Sequence, residues 1–199
     1  LCNKGILFIQ GQLDCFGQID YTLKKYENLQ YATFLAPKHL PQTKSICITN
    51  FTLLDENKDV VNQLYIGKSY FFKLSFQNTS QIPIKGNFDI AIGINSSMGI
   101  KLAHLNLSQV GATFSYLDIL DEKHIYFKIY KFPLLPDRIS LNLWIAVNGV
   151  CEDYITAAAS YPIFNHNFYS DCIPTSLPSE DGILLLDYQV IQNIERNQK

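Results

Sequence analysis

The sequence predicts an all-β protein, an antiparallel β-sandwich, on three observations. Apolar and polar residues alternate strictly in several short segments, turn-forming Gly, Pro, Asn and Asp separate those segments, and no helical period of any length follows residue 44. With 199 residues, 47% hydrophobic and 17% charged, the chain is long and apolar enough to bury a substantial core.

In chain order, Gly5 to Gln10 is expected as a short strand, Gln10-Gly11-Gln12 as a tight turn, Leu13 to Phe16 as a second strand and Gly17 as a break. Asp20 can then cap a helix whose Ile19, Leu23 and Tyr26 share one face, ending near Leu29. A hairpin and one helix cannot bury a core alone, so residues 1–29 are expected to be the end of a larger unit. Gln30 to Lys44, with Pro37 and Pro41, is expected as a linker, and a second domain spans 45–199.

In that domain Ser45 to Leu54 sets Ile46 and Ile48 against Cys47 and Thr49, and Asp55-Glu56-Asn57-Lys58 forms a turn. Ser69 to Gln77 turns Tyr70, Phe72, Leu74 and Phe76 to one face and Phe71, Lys73 and Ser75 to the other. Phe88 to Asn95 turns Phe88, Ile90, Ile92 and Ile94 inward and Asp89, Ala91, Gly93 and Asn95 outward. His124 to Lys131 places Ile125, Phe127 and Ile129 opposite His124, Tyr126, Lys128 and Tyr130. Pro133 and Pro136 fix a turn, after which Ile139 to Val147 buries Leu141, Leu143, Ile145 and Val147. Its other face carries Ser140, Asn142, Ala146, Asn148 and Trp144, the single tryptophan of the chain. Pro162 is expected to interrupt an edge or late strand, and Gly182 to Val190 is a last apolar strand before a polar tail.

Charge and motif narrow the function classes. A net charge of -2, with no run of Lys or Arg, removes the basic patch on which nucleic-acid binders depend. Five widely spaced cysteines (Cys2, Cys15, Cys47, Cys151 and Cys172) without a Cys-x-x-Cys pair are expected as reduced thiols of a cytosolic protein. Four scattered histidines offer no metal-ligand spacing. No apolar run is long enough to span a bilayer, and the first residues lack the features of a signal peptide.

Two resemblances give these elements a context. The stretch Leu1-Cys2-Asn3-Lys4-Gly5-Ile6-Leu7-Phe8-Ile9-Gln10-Gly11-Gln12-Leu13, followed by Gly17 and Tyr26, resembles the final segment of an ABC-transporter ATPase domain. The chain has no Gly-x-x-x-x-Gly-Lys-Ser/Thr phosphate loop, signature motif or switch histidine, so no nucleotide cofactor is expected on it. ATP and Mg would belong to a full-length parent.

The second resemblance runs through Phe132-Pro133-Leu134-Leu135-Pro136, the Ile139 to Val147 strand, Cys151-Glu152-Asp153-Tyr154-Ile155, Phe164, Asn167-Phe168-Tyr169 and Gly182 to Tyr188. With Ile66-Gly67-Lys68 and Ile90 to Gly99 in the expected order, it is similar to the C-terminal carbohydrate-binding domain of the ATPase subunit of O-antigen and related polysaccharide ABC exporters. Asp137 stands where that family usually has glycine, and Tyr188 where it often has tryptophan. The resemblance implies an immunoglobulin-like sandwich, cytoplasmic and peripheral to the inner membrane, that recognises a lipid-linked polysaccharide without catalysis. The implied partners are that O-antigen-like glycan, the transmembrane permease subunit, and a second copy joined by exchange of the Gly182 to Val190 strand. A dimerisation and coupling module that touches no sugar is the alternative.

Sugar recognition needs a flat apolar surface for the C–H face of a ring and planar groups for its hydroxyls. The outward faces supply Trp144 and Asn142 on one strand, His124, Tyr126 and Tyr130 on another, and Asp89 on a third; sharing one sheet, they would form a platform. Outward aromatics also serve as cross-strand pairs worth roughly 0.2–1 kcal/mol, or lie beneath a dimer partner. Asp118, Asp121 and Glu122 are close enough in sequence to suggest glycoside hydrolysis, but they fall in an expected turn where acidic residues serve solvation.

Overall fold

The computed structural model describes residues 2–9, 11–22, 44–119, 121–135, 137–169, 184, 185 and 187. Strands β1 (Lys4–Ile9) and β2 (Gln12–Gln18) form an antiparallel hairpin around Gly11, whose φ of 82° suits glycine. Gly17 does not break β2; it lies inside the strand opposite Gly5. Gly5 is packed against Thr22, whose Cβ stands 2.9 Å from where a Gly5 side chain would begin, whereas a Cβ at Gly17 would meet only Tyr21, at 3.7 Å. Residues 19–22 are helical, so Asp20 sits within the first turn rather than capping it, and the remainder of the expected helix lies outside the described residues. So do residues 30–43 of the expected linker.

The larger unit is the predicted β-sandwich. Its strands are β3 (Ile46–Asp55), β4 (Leu64–Tyr65), β5 (Tyr70–Asn78), β6 (Ile84–Lys85), β7 (Phe88–Ser96), β8 (Lys101–Asn106), β9 (Tyr116–Leu117), β10 (Glu122–Ile129), β11 (Arg138–Val147) and β12 (Val150–Phe164). One sheet has three strands in the order β10-β5-β3, the other five in the order β4-β12-β11-β7-β8, and β6 pairs with β9 separately. Pairings are antiparallel except β12 with β4.

The inward residues read from alternation form the core. Tyr70, Phe72, Leu74 and Phe76 from β5 meet Phe88, Ile90, Ile92 and Ile94 from β7 and Ile139, Leu141, Leu143, Ile145 and Val147 from β11, all buried. Each such side chain contributes about 1.5–3 kcal/mol of transfer free energy. Aromatic contacts cross between the sheets at both sides. Phe51 of β3 packs against Tyr161 of β12 at 6.1 Å, and Phe114 lies between Phe76 and Phe88 at 5.8 and 4.8 Å.

Irregularities mark where alternation alone misleads. A bulge between Ile48 and Asn50 puts Ile46, Cys47 and Ile48 all in the interior, so Cys47 is buried rather than outward. That burial, with the Asp153 carboxylate nearby, raises the Cys47 thiol to about 11. Asp153 itself is 2% exposed and joins the sheets: it accepts the Ile48 N–H at 2.9 Å and pairs with Lys44 at 2.5 Å. Strand β12 is irregular around Ala157, at φ 47°, where residues 156–158 stand against Asn142 alone. Pro162 does not interrupt it. Pro162 sits opposite Arg138, and the next residue, Ile163, donates its N–H to the Asp137 carbonyl at 2.7 Å.

The proline-bounded segment 131–138 packs as a plug at one end. Phe132 is fully buried and exchanges backbone hydrogen bonds with Gly67 and Lys68 at 2.8 and 2.9 Å. Of the expected last strand only 184, 185 and 187 are described. Leu184 pairs with Leu134, Leu185 donates its N–H to the Pro133 carbonyl, and Asp187 pairs with Lys131 at 3.0 Å.

Candidate functional site

The structure separates the six residues expected to form one platform. Strand β10 belongs to the three-stranded sheet, whereas β7 and β11 lie in the five-stranded sheet. His124, Tyr126 and Tyr130 therefore lie on a different sheet from Trp144, Asn142 and Asp89, and the six line no single site; Tyr126 borders instead a hollow of about 310 Å³ between β10 and β8, whose other wall includes His104 and Asn106. The pattern of β10 gave its outward face correctly but contained nothing to say which sheet it joins. On that face His124 Nδ1 lies 2.9 Å from Ser75 Oγ, Lys73 approaches the Tyr126 ring, and Lys128 stands 4.5 Å from the centre of the Tyr130 ring.

The five-stranded sheet carries Trp144, Asn142 and Asp89. Trp144 of β11 lies between Ala91 of β7 and Tyr154 of β12 as its direct cross-strand partners, and Ala91 in turn faces Asn106 of β8. One pair further along, Asn142 faces Gly93, which faces His104. Trp144 is half-buried and Tyr154 is 51% exposed. Ala91, Gly93 and Asn95, expected outward, are buried beneath their taller neighbours, and above Ala91 and Gly93, which carry almost no side chain, the sheet forms a trough. Its volume is about 270 Å³, and Ala91, Gly93, Lys101, His104, Asn106, Asn142, Trp144 and Tyr154 line it.

The walls differ in how far their polar groups are already committed. Asn142 Oδ1 accepts the Ala157 N–H at 2.8 Å, at the bulge of β12, and its amide donates to the Tyr154 hydroxyl at 3.2 Å. Asn142 is thus a positioning residue that sets the tilt of Tyr154. Asp89, expected as a sugar ligand, lies outside the lining and is similarly occupied: its carboxylate accepts from Asn106 Nδ2 at 3.2 Å and from the Ser108 N–H and hydroxyl at 3.3 Å each. Asn106 Oδ1 in turn accepts from Ser108 Oγ and the Gln109 N–H, fixing the end of β8. Among the described residues the Trp144 indole N–H, Lys101 and His104 have no hydrogen-bond or ion-pair partner, which leaves them for a ligand.

Sequence reasoning missed Tyr154, His104, Asn106 and Lys101. For Tyr154 a signal exists: Asn148-Gly149, with φ values of 50° and 80°, is a two-residue hairpin turn that folds β12 back along β11. Counting outward from that turn brings Tyr154 near Trp144.

A hollow of about 350 Å³ lies elsewhere, beside Asp55, Gln63, Tyr65, Lys68 and Tyr70. Within it Gln63 donates to the Tyr65 hydroxyl at 2.6 Å and the Tyr70 hydroxyl accepts the Tyr65 N–H at 2.7 Å. The carboxylates considered for hydrolysis are dispersed in their contacts. Asp118 accepts its neighbour's N–H, Asp121 pairs with Lys123 at 2.7 Å, and Glu122 accepts from Thr49 Oγ1 at 2.7 Å. Among the described residues no group of His, Cys, Asp and Glu is arranged to hold a metal ion, and no helix is long and apolar enough to cross a membrane.

No family model matches the chain, and no curated protein matches it. The fold does have a solved relative. The chain is similar to the C-terminal domain of Wzt, with a TM-score of 0.60 and 12% identity, over 82% of this chain and 92% of that domain. A CARDB domain from Pyrococcus furiosus aligns with a TM-score of 0.40 at 11% identity, over 63% of this chain and 97% of its own. A β-glucuronidase of glycoside hydrolase family 2 aligns at 0.39 and 13%, over 57% of this chain and 11% of its own. The likeness to the Wzt domain establishes the sandwich as that domain's fold.

Proposed function

We propose that this chain is a glycan-recognition domain of a polysaccharide ABC exporter, with its site in the trough of the five-stranded sheet. The observation that carries the reading is the pairing of Trp144 with Tyr154 across two strands, beside a floor of Ala91 and Gly93. Two aromatic side chains fixed by the sheet offer the C–H face of a sugar ring something to stack on, and the small floor residues make room for it. A volume of about 270 Å³ lies just below the usual range for small-molecule sites, which suits one ring of a longer chain better than a free drug-sized ligand. The fold shared with the Wzt C-terminal domain and the sequence resemblance to the exporter family support the same reading.

In this proposal residues 1–29 are the end of the exporter's ATPase domain. Ile6, Phe8, Leu13 and Phe16 are each more than half exposed on the hairpin, as expected of a piece whose packing partners lie in the remainder of such a domain. The glycan is the lipid-linked export substrate, the permease is the membrane partner, and two copies associate through the 182–190 segment. A chain ending at Asp181 should then lose its dimer in size measurement; an unchanged dimer rules out strand exchange.

Binding of O-antigen-type oligosaccharides to the full chain tests the main reading. Trp144→Ala should weaken binding at least tenfold. A dimeric, folded chain that binds no glycan would instead make the domain a coupling module for the ATPase subunits.

A further inference from the structure

We infer that the hollow where β3 ends and β5 begins is a separate binding site, for a small ligand carrying both an ammonium and a carboxylate, of the class of an α-amino acid with an apolar side chain. Its volume of about 350 Å³ falls within the usual range for small-molecule sites. Asp55, the last residue of β3, pairs directly with Tyr70, the first of β5. The chain then folds back along β3, since Leu54 bridges Val60 and the Val61 N–H donates to the Leu53 carbonyl at 3.0 Å. Tyr65 pairs with Phe164 of β12, and their rings lie 5.7 Å apart. Both walls are thus held in place before any ligand arrives, which lowers the cost of binding.

Both signs of charge line this hollow without cancelling. Asp55 and Glu56 come from the end of β3 and Lys68 from the turn entering β5, yet among the described residues no ion pair joins Lys68 to either carboxylate. Asp55 commits Oδ1 to the Asn57 and Asp59 N–H groups at 2.9 and 3.0 Å, and its second oxygen has no hydrogen-bond partner among the described residues. The Tyr70 hydroxyl, on a side chain 3% exposed, accepts the Tyr65 N–H, and its own hydrogen has no acceptor among the described residues. A purely cationic ligand would meet Lys68 as a like charge, and a purely anionic one would meet Asp55 and Glu56. A neutral ligand would leave all three without a counter-charge. A zwitterion answers both signs, its ammonium toward the carboxylates and its carboxylate toward Lys68, through charge-assisted hydrogen bonds. Val60, which is exposed, and Val61 offer apolar surface for its side chain.

The test is calorimetric titration of the full chain with leucine, with isoamylamine, which is leucine without its carboxylate, and with isocaproate, which is leucine without its ammonium. Leucine should bind at least tenfold tighter than either. Lys68→Gln and Glu56→Gln each alter an exposed side chain outside the core, so the thermal midpoint should stay unchanged. Lys68→Gln should lower leucine affinity about tenfold, to near that of isoamylamine, without weakening isoamylamine. Glu56→Gln should lower leucine affinity about threefold, since Asp55 remains, without weakening isocaproate. Oligosaccharide binding, the separate readout of the trough, should not change in either variant.

Leucine binding no tighter than its two halves overturns the inference, and so does the absence of binding by all three. Leucine affinity unchanged in both variants overturns it too, because the ligand would then sit elsewhere. None of these results touches the glycan reading, which stands or falls with Trp144→Ala.

Discussion

Gly93 provides the cleanest perturbation of the proposed site. Its backbone is extended, without the positive φ that would demand glycine, and a Cβ built there would meet Asn142 Cβ at 3.6 Å and the Asn142 carbonyl at 3.9 Å, ordinary contact distances. Gly93→Val should therefore be accepted by the fold. Replacing glycine at a compatible position restricts the unfolded chain and stabilises by about 0.4–1 kcal/mol, and a β-branched side chain suits a strand. For a domain of this size that gain corresponds to a rise in Tm of about 1–4 °C. The same three carbons would stand on the floor of the trough beside Trp144 and exclude a ring from it. Glycan affinity should fall at least tenfold, about 1.4 kcal/mol. Thermal melting and calorimetric titration of the two chains measure both effects. A stable variant with unchanged glycan affinity would refute the placement of the site, and a drop in Tm of several degrees would refute the reading of Gly93 as unstrained.

Three further outcomes follow from the fold. Gly67→Ala should destabilise by about 2 kcal/mol or more, measured by denaturant unfolding, because Gly67 has φ 75° and an added Cβ would stand 2.7 Å from the Asn167 carbonyl oxygen. Asp153→Ala leaves the buried Ile48 N–H unpaired and frees Lys44, which can reach water, so a loss of about 2–3 kcal/mol is expected in the same assay. Cys47 should resist alkylation at neutral pH while exposed Cys2 and Cys151 react, as mass spectrometry of the native chain would show. Folding holds the Cys47 thiol protonated up to about 11, whereas the unfolded thiol ionises near 9, so between those values the unfolded chain binds fewer protons and stability falls as pH rises. Tyr161, whose hydroxyl burial also raises, pushes in the same direction, and alkaline unfolding curves should show the decline.

Much of the sandwich is legible because its central strands obey a simple rule. In β5, β7 and β11 every second residue is large and apolar, and each of those residues is buried. Legibility fails where the backbone adds a residue. The bulge in β3 hides Cys47, the Ala157 bulge in β12 obscures a long strand, and a register shift between Ile94 and Asn95 offsets β8 so that Leu102 and Leu105 do not alternate cleanly. Trp144 and Asn142 were found because they fall in the regular part of β11; its alternation fails at Ala146, expected outward and fully buried. Tyr154, His104 and Lys101 were missed because they stand on the two strands with bulged pairings.

Sheet membership is a different kind of information, and alternation does not contain it. The outward faces of β10 and β11 look equally suited to a ligand when read as sequence, since each presents aromatics among polar residues. What distinguishes them is the company the sheet gives them. Beside Tyr126 stands Lys73, whose ammonium lies 6.0 Å from the ring centre, and the hollow of about 310 Å³ that Tyr126 borders between β10 and β8 is lined largely by apolar side chains. Beside Trp144 stand Ala91 and, one pair along, Gly93, which leave the indole bordering a hollow. An aromatic on a strand becomes a binding element when its neighbours across the ladder are small, and that depends on pairing more than on the aromatic itself. The pairing of β11 with β7 turns Ala91 and Gly93, unremarked as outward residues, into the floor that makes Trp144 a site.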